Sequence, residues 1–92
     1  MNQLTPDIIT ARVVCHGVLA LGFADGVAGE VEVLGRMRGP VFEQARTPEG
    51  FGTVSVDAET GTVAWPGGAD LAPDTLYERV RTGTWPDEQA AA

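Results

Sequence analysis

The stretch TVAWPGGADLAPDTLY, residues 62–77, contains the strand, turn and helix from which the fold of this chain can be inferred. Its first four residues are mostly β-branched or aromatic, which predicts a short strand ending at Trp65. Pro66 has no backbone donor for a strand ladder, and the two glycines after it are typical of a turn. Proline is favoured at the first helical position, which predicts a helix over residues 73–81.

Three segments upstream predict an antiparallel meander, because each is rich in apolar and β-branched residues and is bounded by glycine. They are residues 8–16, 18–24 and 27–34. Gly17 permits the first turn, and Asp25-Gly26 is among the strongest hairpin signals because glycine accepts the positive φ of a primed turn.

The faces of these strands follow from the alternation of side chains along extended backbone. The expected core face of the second strand consists of Leu19, Leu21 and Phe23. One expected face of the first strand consists of Ile9, Ala11, Val13 and Cys15. Glu30 and Glu32 of the third strand are expected to face solvent.

Residues 35–50 predict irregular structure with short helical turns. Thr47 is a favoured N-cap and Pro48 suits the first helical position, while Gly50 is expected to end that turn. The residues expected to face inward from the preceding turn are Val41, Phe42 and Ala45.

Residues 51–57 and 62–65 predict a hairpin, and Gly83 is a candidate cap for the last helix. The predicted fold class is α+β, with an antiparallel sheet of about five strands built from the three-stranded meander plus the hairpin. Short helical turns occupy the middle and one helix lies at the C-terminal end. The chain is expected to form one domain over 1–92, with a core over about 7–83 and frayed ends at 1–6 and 87–92.

The composition limits the classes of partner. Thirteen acidic residues against six arginines and no lysine give a net charge of -7, which disfavours nucleic-acid phosphates and anionic membranes. The acidity fits either solvation alone or a basic protein partner. No apolar run approaches the ~20 residues of a spanning helix. With one cysteine and no recognisable secretion signal, a cytoplasmic protein is predicted.

Several blocks of the sequence together resemble the bacterial domain of unknown function 2442 family. These are Phe23-Ala-Asp-Gly26, Gly29-Glu-Val31, Val41-Phe42, Phe51 and the whole of residues 62–77. The family often has Asn where this chain has Gly67. The resemblance implies a small α+β fold with an antiparallel sheet and no established catalytic residues. In some relatives, the resemblance also implies, a helix-turn-helix domain follows this one; the residues after Gly83 are not expected to form such a domain. Other relatives are encoded beside a small basic protein in an arrangement that resembles a toxin–antitoxin pair.

The residue types that could support catalysis do not form a recognisable set. Cys15 and His16 are adjacent in a predicted strand and would point to opposite faces, so they cannot form a dyad. Asp70 and Asp74 flank the predicted helix start, where carboxylates either accept backbone N–H groups or serve acid–base or cation-binding work. No catalytic residue, metal site or cofactor is predicted, and the chain is expected not to be an enzyme.

Four residues are candidates for binding a partner: Trp65, Asp70, Tyr77 and Trp85. Tryptophan and tyrosine suit interfaces because they combine a large area with a polar group, although they equally well cover a small core. The arginines of the middle segment could bind an acidic group or pair with the chain's own carboxylates; they are Arg36, Arg38 and Arg46.

The sequence thus predicts a non-enzymatic protein-interaction module, with an antitoxin-like companion of a small basic protein as one form of it. The alternatives are a small-ligand-binding or enzymatic domain with a site near Asp70, and a homo-oligomeric structural domain that pairs through a sheet edge.

Overall fold

The computed structural model describes residues 5–85, which form two three-stranded antiparallel sheets and a C-terminal helix. The first sheet has the order β1 (Ile8–Cys15), β2 (Val18–Phe23), β3 (Ala28–Glu32). The second has the order β4 (Ser55–Asp57), β5 (Thr62–Trp65), β6 (Ala69–Asp70). Along the chain, the two sheets are separated by two 3-10 turns, Leu34–Arg36 and Pro40–Phe42, and by the short helix α1 (Pro48–Phe51). The last element of the chain is the helix α2 (Pro73–Thr82). The ends predicted to be frayed are residues 1–6 and 87–92, and all of them except Thr5 and Pro6 lie outside the described residues.

The predicted meander is confirmed in the first sheet. Its core face includes Leu19, Leu21 and Phe23 of β2, all buried as the alternation predicts. Glu30 and Glu32 of β3 are exposed, again as predicted. The fold class α+β is therefore correct.

The face predicted for β1 is wrong at both ends of the strand. Ile8 lies opposite Phe23 and Thr10 opposite Gly22, so Ile9 is an extra residue without a partner of its own. Such a bulge reverses the alternation: Ile8 is buried and Ile9 is 58% exposed. A second register shift between Val13 and Cys15 again reverses the alternation, and Cys15 is exposed.

The single sheet of about five strands is also wrong, because the hairpin does not extend the meander. Backbone bonds connect the two sheets at the start of β1, where Ile8 N donates to Gly61 O at 2.9 Å. The second sheet also contains a third strand, β6, which was not predicted from the sequence. Gly67 and Gly68 both adopt positive φ, 96° and 94°, and reverse the chain so that Ala69 pairs with Trp65.

The predicted helix start at Thr47 is confirmed, but its predicted end is not. Thr47 Oγ1 accepts a hydrogen bond from Gly50 N at 3.0 Å, and Phe51 N continues the turn by donating to Thr47 O. Phe51 therefore belongs to α1, and the fourth strand begins only at Ser55. Of the residues expected to face inward, Phe42 and Ala45 are buried, whereas Val41 is exposed.

Helix α2 begins at Pro73 as predicted and closes the core. Leu76 is buried, Val80 packs against the core, and Gly83 ends the helix in the left-handed conformation with φ 84°. One buried cluster joins both sheets, the middle segment and α2. Within residues 5–85, no helix has both the length and the apolarity needed to cross a bilayer.

The contact between α2 and β3 depends on the small size of Gly29. A Cβ added at Gly29 would lie 3.0 Å from Val80 Cγ1, tighter than nine in ten real Cβ contacts, so Val80 would have to shift by a few tenths of an ångström. We expect Gly29→Ala to lower the free energy of unfolding by about 1–3 kcal/mol, measured by urea denaturation, because the added methyl overpacks the contact with the buried side of the helix. Gly35→Ala is the matched control, since no heavy atom lies within 4 Å of its added Cβ. Equal stability of the Gly29 variant and the parent protein would contradict this account.

Candidate functional site

Trp65 is an almost fully buried residue. It is 3% exposed, and its indole Nε1 donates to the backbone oxygen of Phe51 at 3.1 Å. The ring also meets Phe42 edge-on, with centroids 6.0 Å apart. Its buried polar atom is therefore satisfied within the chain.

Tyr77 connects α2 to the turn between β2 and β3. Its hydroxyl donates to Asp25 Oδ2 at 2.6 Å, and its ring lies edge-on to Phe23 with centroids 5.0 Å apart. This hydrogen bond holds the pKa of Asp25 below its usual 3.8, because it favours the carboxylate. The same bond raises the pKa of Tyr77 above its usual 10.0, because the phenol proton is held by Asp25.

Asp70 does not cap the helix, in contrast to the structural role expected from the sequence. It lies in β6 opposite Ala64, with an exposed side chain, and the N-cap position of α2 is occupied by Ala72. Asp74 does lie in the first turn of α2, where its Oδ1 accepts from Thr75 N at 2.9 Å. Asp70 remains an exposed carboxylate on the outward side of the second sheet.

Trp85 is half-buried and is contacted by two arginines. The guanidinium carbon of Arg36 lies 4.0 Å from the ring centroid, and that of Arg79 lies 5.8 Å from it. Both distances are within the range of cation–π attraction. Trp85 also packs against the buried core, so this end of the described chain lies over the core edge.

The four predicted partner-binding residues do not converge. Trp65 contacts the aromatic rings of the middle segment, Tyr77 contacts the β2–β3 turn, and Trp85 contacts two arginines. Trp65 and Tyr77 thus have different neighbours, and the alternative of a site near Asp70 stays a prediction.

The arginines of the middle segment bind backbone carbonyls and a ring. Arg38 Nε donates to Gly35 O at 2.9 Å, and Arg46 Nη1 donates to Met37 O at 3.2 Å. For Arg38 and Arg46, these partners are neutral oxygens rather than the acidic groups that both sequence-based alternatives named.

Cys15 and His16 show no catalytic arrangement. Cys15 is exposed, and His16 Nε2 lies 2.6 Å from the backbone oxygen of Arg46, which fixes the ring against Phe51. Within residues 5–85, no group of three acidic, histidine or cysteine side chains is placed to hold a metal ion.

The residues that do line a shared concavity were not singled out by the sequence. A depression of about 520 Å³ lies between the α1 region and the turn after β5. Its lining includes Gln44, Ala45, Glu49, Thr53, Trp65 and Pro66. Of these, only Trp65 was a candidate, since no spacing in the sequence brings residues 44–53 next to residues 65–66. The Thr47-Pro48 helix start was the one local signal pointing to this region.

These features define a small α+β domain with two antiparallel sheets, a packed aromatic interior and a surface concavity beside Trp65. The family model described as protein of unknown function (DUF2442) matches residues 11–82, and the chain belongs to this family. No curated protein and no solved structure matches the chain.

The hydrogen bond between Tyr77 and Asp25 makes stability depend on pH at both extremes. Because the pKa of Asp25 is lowered, the stability that its carboxylate contributes is fully present above pH 3.8 and is lost as the pH falls through the lowered pKa. Because the pKa of Tyr77 is raised, the stability that its hydroxyl contributes is fully present below pH 10.0 and is lost as the pH rises through the raised pKa. We therefore expect Tyr77→Phe to have a lower free energy of unfolding than the parent protein, measured by urea denaturation at a series of pH values. The difference should be largest between pH 3.8 and pH 10.0.

Asp25→Asn is the control for that experiment, because asparagine offers Tyr77 an acceptor oxygen but does not titrate. In this variant the acid-side loss assigned to Asp25 should disappear. A stability difference between Tyr77→Phe and the parent that stays constant down to strongly acidic pH would show that the hydrogen bond is not its source.

Proposed function

We propose that this chain is a non-enzymatic protein-interaction module that binds a small basic protein, in the manner of an antitoxin-like companion. The observation that carries the proposal is a difference between the surroundings of the basic and of the acidic side chains. Within residues 5–85, several arginines contact rings and carbonyl oxygens of the chain, whereas many acidic side chains face solvent.

Within residues 5–85, several arginines contact neutral groups of the chain. Arg79 lies over Trp85, and Arg38 and Arg46 bind carbonyl oxygens. Arg81 forms an ion pair with Glu78, at 3.6 Å. The net charge of the chain is -7, and a cation held by a ring or a carbonyl oxygen does little to screen carboxylates elsewhere on the surface.

The exposed carboxylates are spread over both sheets and their connections. They include Glu30, Glu32, Glu43, Glu49, Glu59 and Asp70. Such a field raises the rate at which a positively charged partner is encountered and disfavours acidic competitors. It would equally repel nucleic acid, which is why a protein partner is proposed. Cytoplasmic location is proposed with it, on the sequence features alone.

The direct test is calorimetric titration of the purified chain with the small basic protein encoded by a neighbouring gene. We expect at least micromolar affinity that weakens with salt, because exposed charges are screened beyond about 10 Å at 0.1 M ionic strength. An unrelated basic protein of similar size and charge is the control. Absence of micromolar binding, or equal binding of the unrelated protein, would contradict the proposal.

A charge variant tests whether the acidic field assists that association. Glu30→Gln/Glu32→Gln removes two exposed charges from β3 without altering buried groups. We expect slower association at low ionic strength and a total loss of affinity of about twofold to thirtyfold, the range for two exposed ion pairs. The difference from the parent protein should vanish at about 1 M salt, where screening acts within about 3 Å. A difference that persists at high salt would show that the effect is not electrostatic.

A further inference from the structure

We propose that the concavity beside Trp65 binds a single cationic side chain, arginine or lysine, projecting from the basic partner. This inference rests on the proposed function and identifies a point of anchorage for it. The concavity is defined here by Gln44, Ala45, Glu49, Thr53, Trp65 and Pro66, which line it.

The apolar part of the concavity is rigid. Trp65 is held by its hydrogen bond to the Phe51 oxygen and by the neighbouring rings of Phe42 and Phe51. Trp65 and Ala45 are almost fully buried at the base of the concavity, and Pro66 supplies an exposed apolar surface beside them. A preformed surface of this kind suits the methylene stem of a long cationic side chain, which packs on apolar groups while its head remains polar.

The polar part of the concavity is rich in acceptors, because its hydroxyl protons are already used. Thr47 Oγ1 donates to Gln44 O at 2.8 Å, and Thr53 Oγ1 donates to Gly50 O at 2.6 Å. Thr47 Oγ1 also accepts from Gly50 N, so it keeps one lone pair, whereas Thr53 Oγ1 keeps two. These two hydroxyls can therefore bind a ligand that brings donors, and the side-chain amide of Gln44 can turn its oxygen towards such a ligand.

The charge of the concavity selects a cation among such donors. Glu49 contributes the charge of the lining, and no arginine lines it. An anionic group would face Glu49 without compensation, whereas a guanidinium or ammonium group would form a charge-assisted hydrogen bond to it. The volume of about 520 Å³ lies within the range of pockets that bury small ligands, so a whole side chain can enter.

The two tryptophans make this proposal testable by NMR on the full chain. N-acetyl-arginine methylamide is titrated against the ¹⁵N-labelled protein, with N-acetyl-citrulline methylamide as the uncharged probe of the same shape. We expect saturable shifts of the Trp65 indole N–H and of the Gly50 and Thr53 amides with the arginine probe. The Trp85 indole, already covered by Arg36, should not move. Equal binding of the citrulline probe, or shifts centred on Trp85, would overturn the proposal.

Glu49→Gln tests the charge directly. We expect it to weaken binding of the arginine probe about twofold to fivefold, the loss of one exposed ion pair. Glu59→Gln, an equal charge change on the exposed turn between β4 and β5, is the matched control and should leave the affinity unchanged. Equal weakening by both variants would indicate a general field effect and would overturn the assignment of the concavity.

The same two variants separate this inference from the proposed function. If the neighbouring-gene protein binds the parent chain and Glu49→Gln equally well, the interaction module stands and the concavity is not its anchor. If the arginine probe binds the concavity but the basic protein does not bind the chain, the site stands and the proposed partner is wrong.

Discussion

The hydrogen bond between the indole of Trp65 and the backbone oxygen of Phe51 fixes the relation between the second sheet and the irregular middle of the chain. A chain of 92 residues buries only a small core, so one large aromatic side chain accounts for much of it. Burying the indole requires an acceptor for its N–H, and the acceptor comes from α1 rather than from a strand. Phe51 is consequently held in a helical turn, and its own side chain joins the same aromatic group.

That constraint also shows which features could be predicted from the sequence. The Thr47-Pro48 helix start and the alternation of Leu19, Leu21 and Phe23 depend on local chemistry, and both are correct. The extra residue Ile9 depends on the pairing with β2, which alternation alone does not reveal. Strand β6 has two residues, too few for any periodic pattern to indicate.

The candidate site shows the same division between local and tertiary information. Trp65 and Tyr77 stand close together in sequence, but a strand and a helix direct them to different neighbours. The concavity instead combines residues from two segments that only the folded chain brings together. Residue type indicated that Trp65 mattered, and only the packing around it shows that it is a buried side chain at the base of the concavity.

Arginine, not lysine, is used for every cation in this chain, and the contacts give a physical reason at several positions. The planar guanidinium of Arg36 lies against the ring of Trp85, and those of Arg38 and Arg46 reach carbonyl oxygens. A compact ammonium group is more strongly hydrated and presents no flat face for stacking. These cations therefore organise the connection between β3 and α1 and the end of α2, where regular backbone pairing is sparse.

The two register shifts of β1 affect more than the face that each residue occupies. β1 is an outer strand of its sheet, and Ile9 and Val14 expose apolar side chains there. A regular outer strand with such side chains would be a template for strands of other molecules, as in fibrils. Bulges interrupt the regular spacing of donors and acceptors that such growth requires. The irregular strand thus lets a small protein keep apolar residues at an open edge while disfavouring aggregation.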